Sequence, residues 1–211
     1  MSGASEIRAI AIVGSGSHAR ECIEAARAAG LGVDCLIDED EARWGEERLG
    51  VEVARGGLDA VTGLDSATGL ILAIGDNARR KAAAEKLAGA RFARLVHPFS
   101  WISPSATIGE GAMIFAGCVV QTEARLGRHV ILNTGATVSH DGEVGDFCHV
   151  AVGANLAGNV HVGEGGFLGA GVVARPGARI GAWATVGAGS SVIRDVPGGT
   201  TAFGDANARP R

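Results

Sequence analysis

From Ile102 to Val192 an aliphatic side chain returns at every sixth residue. Ile102, Ile108, Ile114, Val120, Leu126, Leu132, Val138, Val144, Val150, Leu156, Val162, Leu168, Ala174, Ile180, Val186 and Val192 hold one equivalent position, and only Ala174 is not a branched aliphatic. Glycine often follows it, as at Gly109, Gly127, Gly145, Gly163, Gly169, Gly181 and Gly187, and the fifth residue of each hexad is nearly always small or β-branched. A helix repeats at 3.6 and an ordinary strand at 2, so a period of six requires another architecture. If each hexad is a short strand plus a corner, three hexads close one triangular coil whose aliphatic positions stack inside. With neighbouring strands ~4.8 Å apart, five such coils make a prism roughly 25 Å long. Stacking alone buries this core, so the two ends need caps.

The chain before the hexads follows a different rhythm. The apolar run Ala9-Ile10-Ala11-Ile12-Val13 leads into Gly14-Ser15-Gly16-Ser17-His18-Ala19-Arg20 and then a helix from about Glu21 to Ala29. Strands are expected over Val33 to Ile37 and Leu70 to Ile74, and a second helix over Ala78 to Leu87. The alternation predicts a small α/β domain with a parallel sheet, half of a Rossmann-like fold, over 1–95, followed by the β-helix over 96–211. Gly14, Gly16 and Ala19 fit G-x-G-x-x-G/A, with Asp38 about twenty residues on, where a dinucleotide site places its ribose-binding acid. Glycine there lets backbone N–H groups approach a pyrophosphate at a helix N-terminus, without specifying which pyrophosphate. The segment is too short for a complete dinucleotide fold, which favours a nucleotide diphosphate such as a nucleotide-sugar. Asp38 and Glu39 lie at a strand's carboxyl end, where open α/β sheets bind ligands, and His18 lies on the turn itself.

Composition narrows the partners. The 211 residues are 46% hydrophobic, and 19 basic residues against 23 acidic ones leave a net charge of −4, which argues against a nucleic-acid surface built on bulk positive charge. No apolar run long enough to span a membrane and no secretory leader is apparent, so a soluble, cytoplasmic protein without a membrane partner is expected. Cys22, Cys35, Cys118 and Cys148 form no C-x-x-C pair, and Cys118 and Cys148 fall on the small fifth position of their hexads, as packing residues would.

Chemistry gathers in Asn133-Thr134-Gly135-Ala136-Thr137-Val138-Ser139-His140-Asp141-Gly142, with His149 further along, in the second hexad after His140. A hexad needs an anchor and a small residue, so outward-facing His140 and Asp141 are not demanded by the fold. An imidazole next to a carboxylate is a general-base arrangement. Residues three hexads apart stack, which places Thr122, His140 and Gly158 in one column; a backbone N–H at Gly158 could polarise an acyl carbonyl. His149 is half a coil away and should face another side, so both histidines can serve one site only across a subunit interface. No two of His129, His140, His149 and His161 are a whole number of coils apart, so none stacks on another, which gives little support for a metal site.

The hexads, the small nucleotide-type domain, the Ala73-Ile74-Gly75-Asp76-Asn77 strand end and the N-T-G-A-x-V-x-H-D core together resemble the hexapeptide-repeat N-acetyltransferases of nucleotide-linked amino sugars, of the bacillosamine and perosamine type, and the related sialic-acid O-acetyltransferase-like proteins. The resemblance implies a left-handed parallel β-helix, usually trimeric with active sites between subunits, and acetyl transfer from acetyl-CoA to the amino group of a UDP- or GDP-linked amino sugar, without a metal. It makes His140 the catalytic base and Asp141 the acid that sustains it. It places acetyl-CoA near Asn133, His149, Gly158, Ala170 and Ala188, and the nucleotide-sugar near Gly16, Ser17, His18, Asp38, Glu39 and Gly75. Transfer to a sugar hydroxyl would use the same base, and a non-catalytic nucleotide-binding trimer is the alternative of another class. The turn Gly14-Ser15-Gly16-Ser17-His18 lacks the paired glycines of many relatives, and the tail Ala202 to Ala208 lacks their Gly-Asn-Pro-Ala.

Overall fold

The computed structural model describes residues 6–204, so the tail positions 205–208 lie outside the described residues. The chain divides into two compact units, Met1–His97 and Pro98–Arg211.

In the first unit, β1 (Ala9–Val13), α1 (Ser17–Ala28), β2 (Gly32–Ile37), β3 (Glu47–Arg48), β4 (Val51–Ala54), β5 (Thr68–Leu72) and α2 (Asn77–Lys86) follow in chain order. The sheet order is β3-β4-β2-β1-β5, parallel throughout except for the β3–β4 hairpin, which no pattern in the sequence announces. Central β1 is an unbroken apolar run because both of its faces are covered: Ile10, Ala11, Ile12 and Val13 are all buried. Ala11 and Val13 cluster with Ile37, Leu70, Leu72 and Leu87, and α1 buries Ala19, Cys22, Ile23, Ala25 and Ala26. Helix α1 begins at Ser17, a turn earlier than expected, since only Gly14 to Gly16 are needed to turn the chain; Gly16 is its extended N-cap. Strand β5 stops at Leu72, short of the expected end at Ile74, where Ile74 N–H bonds back to Leu72 O at 2.8 Å and turns the chain out of the sheet.

The second unit is the expected prism. Short strands recur once per hexad from Trp101–Ile102 to Ser191–Val192 and pair in parallel with the strand three hexads on, as in Val120↔Val138↔Leu156↔Ala174↔Val192. The anchors from Ile114 to Val192 are buried, as are the fifth-position residues Ala112, Cys118, Ala124, Val130, Ala136, Cys148 and Ala154. Each buried Leu, Ile or Val anchor contributes ~1.5–3 kcal/mol, an upper estimate because the unfolded chain is partly collapsed.

Each edge of the prism carries a column of residues in the left-handed region, and the three columns differ in chemistry. One is entirely glycine, Gly117, Gly135, Gly153, Gly171 and Gly189; the second reads Glu123, Asp141, Asn159 and Gly177; the third reads Gly111, His129, Phe147, Gly165 and Trp183. Left-handed φ is cheap for glycine and tolerable for Asn and Asp, which is why the corners can be this tight. On the third edge His129 and Phe147 stack with ring centroids 5.1 Å apart.

Candidate active site

Thr137–Val138 ends in a corner that carries Ser139, His140, Asp141 and Gly142. Asp141 has φ 57°, and its N–H bonds to Thr122 O one coil below. This backbone turn folds the carboxylate onto its neighbour: His140 Nδ1 lies 2.8 Å from Asp141 Oδ2. An ionised carboxylate only accepts, so the tautomer that this contact favours carries its proton on Nδ1, and in that tautomer Nε2 keeps the lone pair. The imidazole lies over Gly158 of the next coil, where a Cβ would stand 2.5 Å from His140 Cε1. Asn159 N–H bonds to His140 O, while Gly158 N–H makes no backbone hydrogen bond among the described residues. The carboxylate and imidazole side chains are both about half exposed, 52% and 57%. The column of Thr122, His140 and Gly158 is therefore present as expected.

The remaining residues assigned to acetyl-CoA lie elsewhere on the prism. Asn133 begins the corner after Ile131–Leu132, where its Oδ1 accepts Thr134 N–H at 2.7 Å. Ala170 and Ala188 occupy the same corner in higher coils, joined by Gly189 N–H to Ala170 O at 2.8 Å, and each precedes a member of the all-glycine column. His149 sits on the strand face leading to that corner, in register with Ile131 and Phe167, its ring edge-on to Phe167 at 5.3 Å. Within one prism, then, His140, Asp141 and Gly158 share one edge, and Asn133, Ala170 and Ala188 another. Among the histidines weighed for a metal, His161 instead pairs with Glu143 at 3.0 Å and His129 packs on Phe147. No group of three or more His, Cys, Asp or Glu able to hold a metal ion occurs among the described residues.

In the first unit, a cleft of about 450 Å³ opens at the carboxyl ends of β1, β2 and β5, lined by Gly14 to His18, Asp38 to Asp40, Arg43, Ala73 to Asp76 and Arg79. It brings together all six residues assigned to the nucleotide-sugar. Gly14 needs to be glycine for two reasons: its φ is 101°, and a Cβ would stand 2.9 Å from Ala73 O. Asp38, expected at a ribose, is engaged with the turn, accepting Ser15 N–H at 3.0 Å, Ser15 Oγ–H at 2.5 Å and Asp40 N–H at 3.0 Å. Burial works to raise its carboxyl, but the hydrogen bonds from Ser15 and Asp40 and the Arg43 charge outweigh it and hold it below the usual carboxylate range. Burial, helped by the Arg80 charge and opposed by Glu21, lowers the His18 imidazole, which favours its neutral form.

Ser15 and Asp76 join the cleft from the glycine turn and strand end that the sequence marks, whereas Arg43 and Arg79 line it, and Arg80 braces it, without a sequence signal of their own. Arg80 is fully buried and donates to Ile74 O at 2.7 Å and Asn77 Oδ1 at 2.8 Å, holding the turn after β5 in place. An arginine in the first turns of a helix has no periodic mark; only Asp76 and Asn77 flag the helix start that it braces.

A β-prism that bears a histidine–carboxylate pair on an open edge, in a chain that also carries a glycine-turn cleft, is a hexapeptide-repeat acyltransferase in its architecture. The PglD N-terminal domain family matches residues 9–87. PerB from Caulobacter crescentus, solved with CoA and GDP-perosamine, is similar with a TM-score of 0.86 and 39% identity, over 93% of this chain and 94% of that one. An asparagine-for-histidine variant of perosamine N-acetyltransferase from the same organism, also with CoA and GDP-perosamine, gives 0.87 and 38%, over 93% of each chain. The acetyltransferase domain of PglB from Neisseria gonorrhoeae, with acetyl coenzyme A, gives 0.86 and 34%, over 93% and 96%. No curated protein matches the chain. With this identity over nearly its whole length, the chain belongs to the acetyl-CoA-dependent sugar N-acetyltransferases, and its prism is their left-handed parallel β-helix.

Proposed function

We propose that the protein transfers an acetyl group from acetyl-CoA to the amino group of a nucleotide-linked amino sugar, with His140 as general base and Asp141 sustaining it. The observation that carries this reading is the His140–Asp141 pair held at 2.8 Å over Gly158. A sugar ammonium must lose a proton before it attacks a thioester carbonyl. His140 Nε2 is the acceptor in reach, and Asp141 stabilises the imidazolium that forms. The nitrogen then adds to the carbonyl carbon, and the Gly158 N–H, which makes no backbone hydrogen bond among the described residues, is the donor this reading assigns to the developing oxyanion. The C–S bond breaks as the intermediate collapses; the thiolate takes up the proton held by His140, and the remaining N–H proton of the adduct passes to solvent, giving CoA thiol, the neutral amide and one released proton. Deprotonation and positioning suffice for this sequence.

The nucleotide-sugar belongs to the cleft at Gly16, Ser17, His18, Asp38, Glu39 and Gly75, and acetyl-CoA to the edge of Asn133, His149, Ala170 and Ala188, together with Gly158. Because the two halves of the acetyl-transfer site occupy different edges of one prism, neighbouring prisms of a homotrimer must supply them jointly. Exposed Trp101 and Val173, both 51% accessible on one outer face, support an apolar contact between subunits. No helix among the described residues is long and apolar enough to cross a membrane, and a cytoplasmic site of action is part of the same reading.

The test is thiol release from acetyl-CoA with a panel of UDP- and GDP-linked 4-amino sugars, beginning with GDP-perosamine, the ligand of the Caulobacter relative. Release that requires one amino sugar and vanishes in His140→Ala supports the proposal. Release with hydroxyl sugars alone assigns O-acetylation, and no turnover across a broad panel refutes the enzymatic reading.

A further inference from the structure

We propose that Arg43 is the cationic contact to the diphosphate of the nucleotide-sugar, and that Asp38 is a positioning residue that acts through Arg43 and Ser15. The proposal rests on the nucleotide-sugar reading of the same cleft. Arg43 ends a short 3-10 turn, Glu41–Arg43, which Asp40 caps by accepting Ala42 N–H. Its guanidinium is fastened from below: Nη1 donates to Ser15 Oγ at 3.2 Å and to Asp38 Oδ2 at 3.4 Å, and Nε to Asp40 Oδ2 at 3.3 Å. Its side chain is still 40% exposed, so a face of the cation remains open to a ligand.

Its position between two grooves gives this geometry a consequence. The first cleft carries Asp38, Glu39, Asp40 and Asp76 against Arg43, Arg79 and His18. A second groove of about 550 Å³, sharing Ser15, Gly16, Ser17 and Arg43 with the first, carries Arg20, Arg43 and Arg48 against Glu46 alone. With Glu39 paired to Lys86, the first cleft keeps Asp38, Asp40 and Asp76 against Arg43 and Arg79, a balance that gives a doubly charged diphosphate little attraction and suits the hydroxyl and N–H donors of a nucleoside or amino sugar. The charge changes sign at the glycine turn, and Arg43 is the cation that belongs to both grooves. A guanidinium pre-aligned by three anchors loses little freedom on meeting phosphate oxygens. Asp38 Oδ2 already serves Ser15 N, Ser15 Oγ and Arg43, and Oδ1 accepts Asp40 N–H, so both oxygens hold the turn and Arg43 in place before any ligand arrives.

The experiment is calorimetric titration of the full-length protein with UDP, GDP and their 2′-deoxy counterparts, using wild type, Arg43→Met, Asp38→Asn and the double variant. Whichever nucleoside diphosphate binds the wild type is expected to bind Arg43→Met about ten-fold or more weakly, as for loss of a charge-assisted contact. Asp38→Asn is expected to weaken it too, and the double variant to be no worse than Arg43→Met within about two-fold, because both changes act on one contact. Removal of the 2′-hydroxyl is expected to cost the same in Asp38→Asn as in wild type. In turnover, KM for the nucleotide-sugar rises while kcat and KM for acetyl-CoA stay put, a split that a loosened fold would not give. Arg43→Lys, which keeps the charge, recovers part of the loss. Unchanged affinity in Arg43→Met overturns the proposal, as does a 2′-deoxy penalty that disappears in Asp38→Asn. If wild type binds neither nucleoside diphosphate, the nucleotide-sugar reading falls and takes this one with it.

Discussion

Gly158→Ala separates the geometry of the catalytic corner from its chemistry, because it adds one methyl group and changes no functional atom. The new Cβ would lie 2.5 Å from His140 Cε1 and closer still to Nε2, against 3.4 Å for ordinary contact, so the imidazole retreats by about 1 Å. Gly158 does not adopt a left-handed φ, so alanine brings no backbone strain there. The ring it displaces is more than half exposed and moves at small cost. Stability should therefore change by no more than ~0.5 kcal/mol, about 1–2 °C in Tm for a chain of this length. Activity responds differently, since a misplacement of ~1 Å in a positioned catalytic group costs about 100-fold. Thiol release from acetyl-CoA at saturating nucleotide-sugar should thus show kcat down about 100-fold, approaching the ~10²–10⁴-fold loss expected of His140→Ala. Adding Gly158→Ala to His140→Ala should cost nothing more. A kcat within about three-fold of wild type would refute the argument, and a melting point lowered by about ten degrees or more would show that Gly158 serves the fold instead.

Asp141→Asn should lower kcat at least about ten-fold with both KM values nearly unchanged, because an amide no longer holds the proton on Nδ1 of His140 by charge; a pH–rate profile identical to wild type would count against it. Cys118, buried with its thiol pushed up to about 11, should resist iodoacetamide at mildly alkaline pH in the folded protein and react once unfolded, as mass spectrometry would record. The lowered Asp38 carboxyl means that the folded state binds fewer protons than the unfolded one as pH drops below about 4. Its stabilising contribution is complete above the unfolded value and lost as pH falls through the folded value. Thermal melts from neutral pH down to about pH 3 should show an acid-side loss that is smaller in Asp38→Asn, and equal slopes in the two proteins would contradict the assignment.

Much of the fold is legible in the sequence because the prism is built from local rules repeated at one period. The anchor faces a crowded interior and the fifth residue a crowded corner, so both positions admit few side chains and advertise themselves. The same period yields the stacking of His140 on Gly158, a spacing of three hexads that needs no knowledge of side-chain direction. The glycine turn is equally visible, since Gly14 is squeezed against Ala73 O. Helix α1 starts earlier than its pattern suggests because Ser17 to Arg20 read as loop, when Gly16 alone suffices to begin the helix.

Other features have no period to reveal them. The sequence by itself determined a coil of three hexads, an α/β unit before it, and a histidine with its carboxylate on an outward corner, because each follows from steric limits within a few residues or one repeat. Only the tertiary structure decided that Asp38 accepts from both Ser15 and Arg43, and that Arg43 lies against both grooves of the first unit. Those outcomes depend on where segments far apart in the chain bring a charge or a lone pair, and hydrogen-bond directions at such meetings leave no trace in composition or spacing.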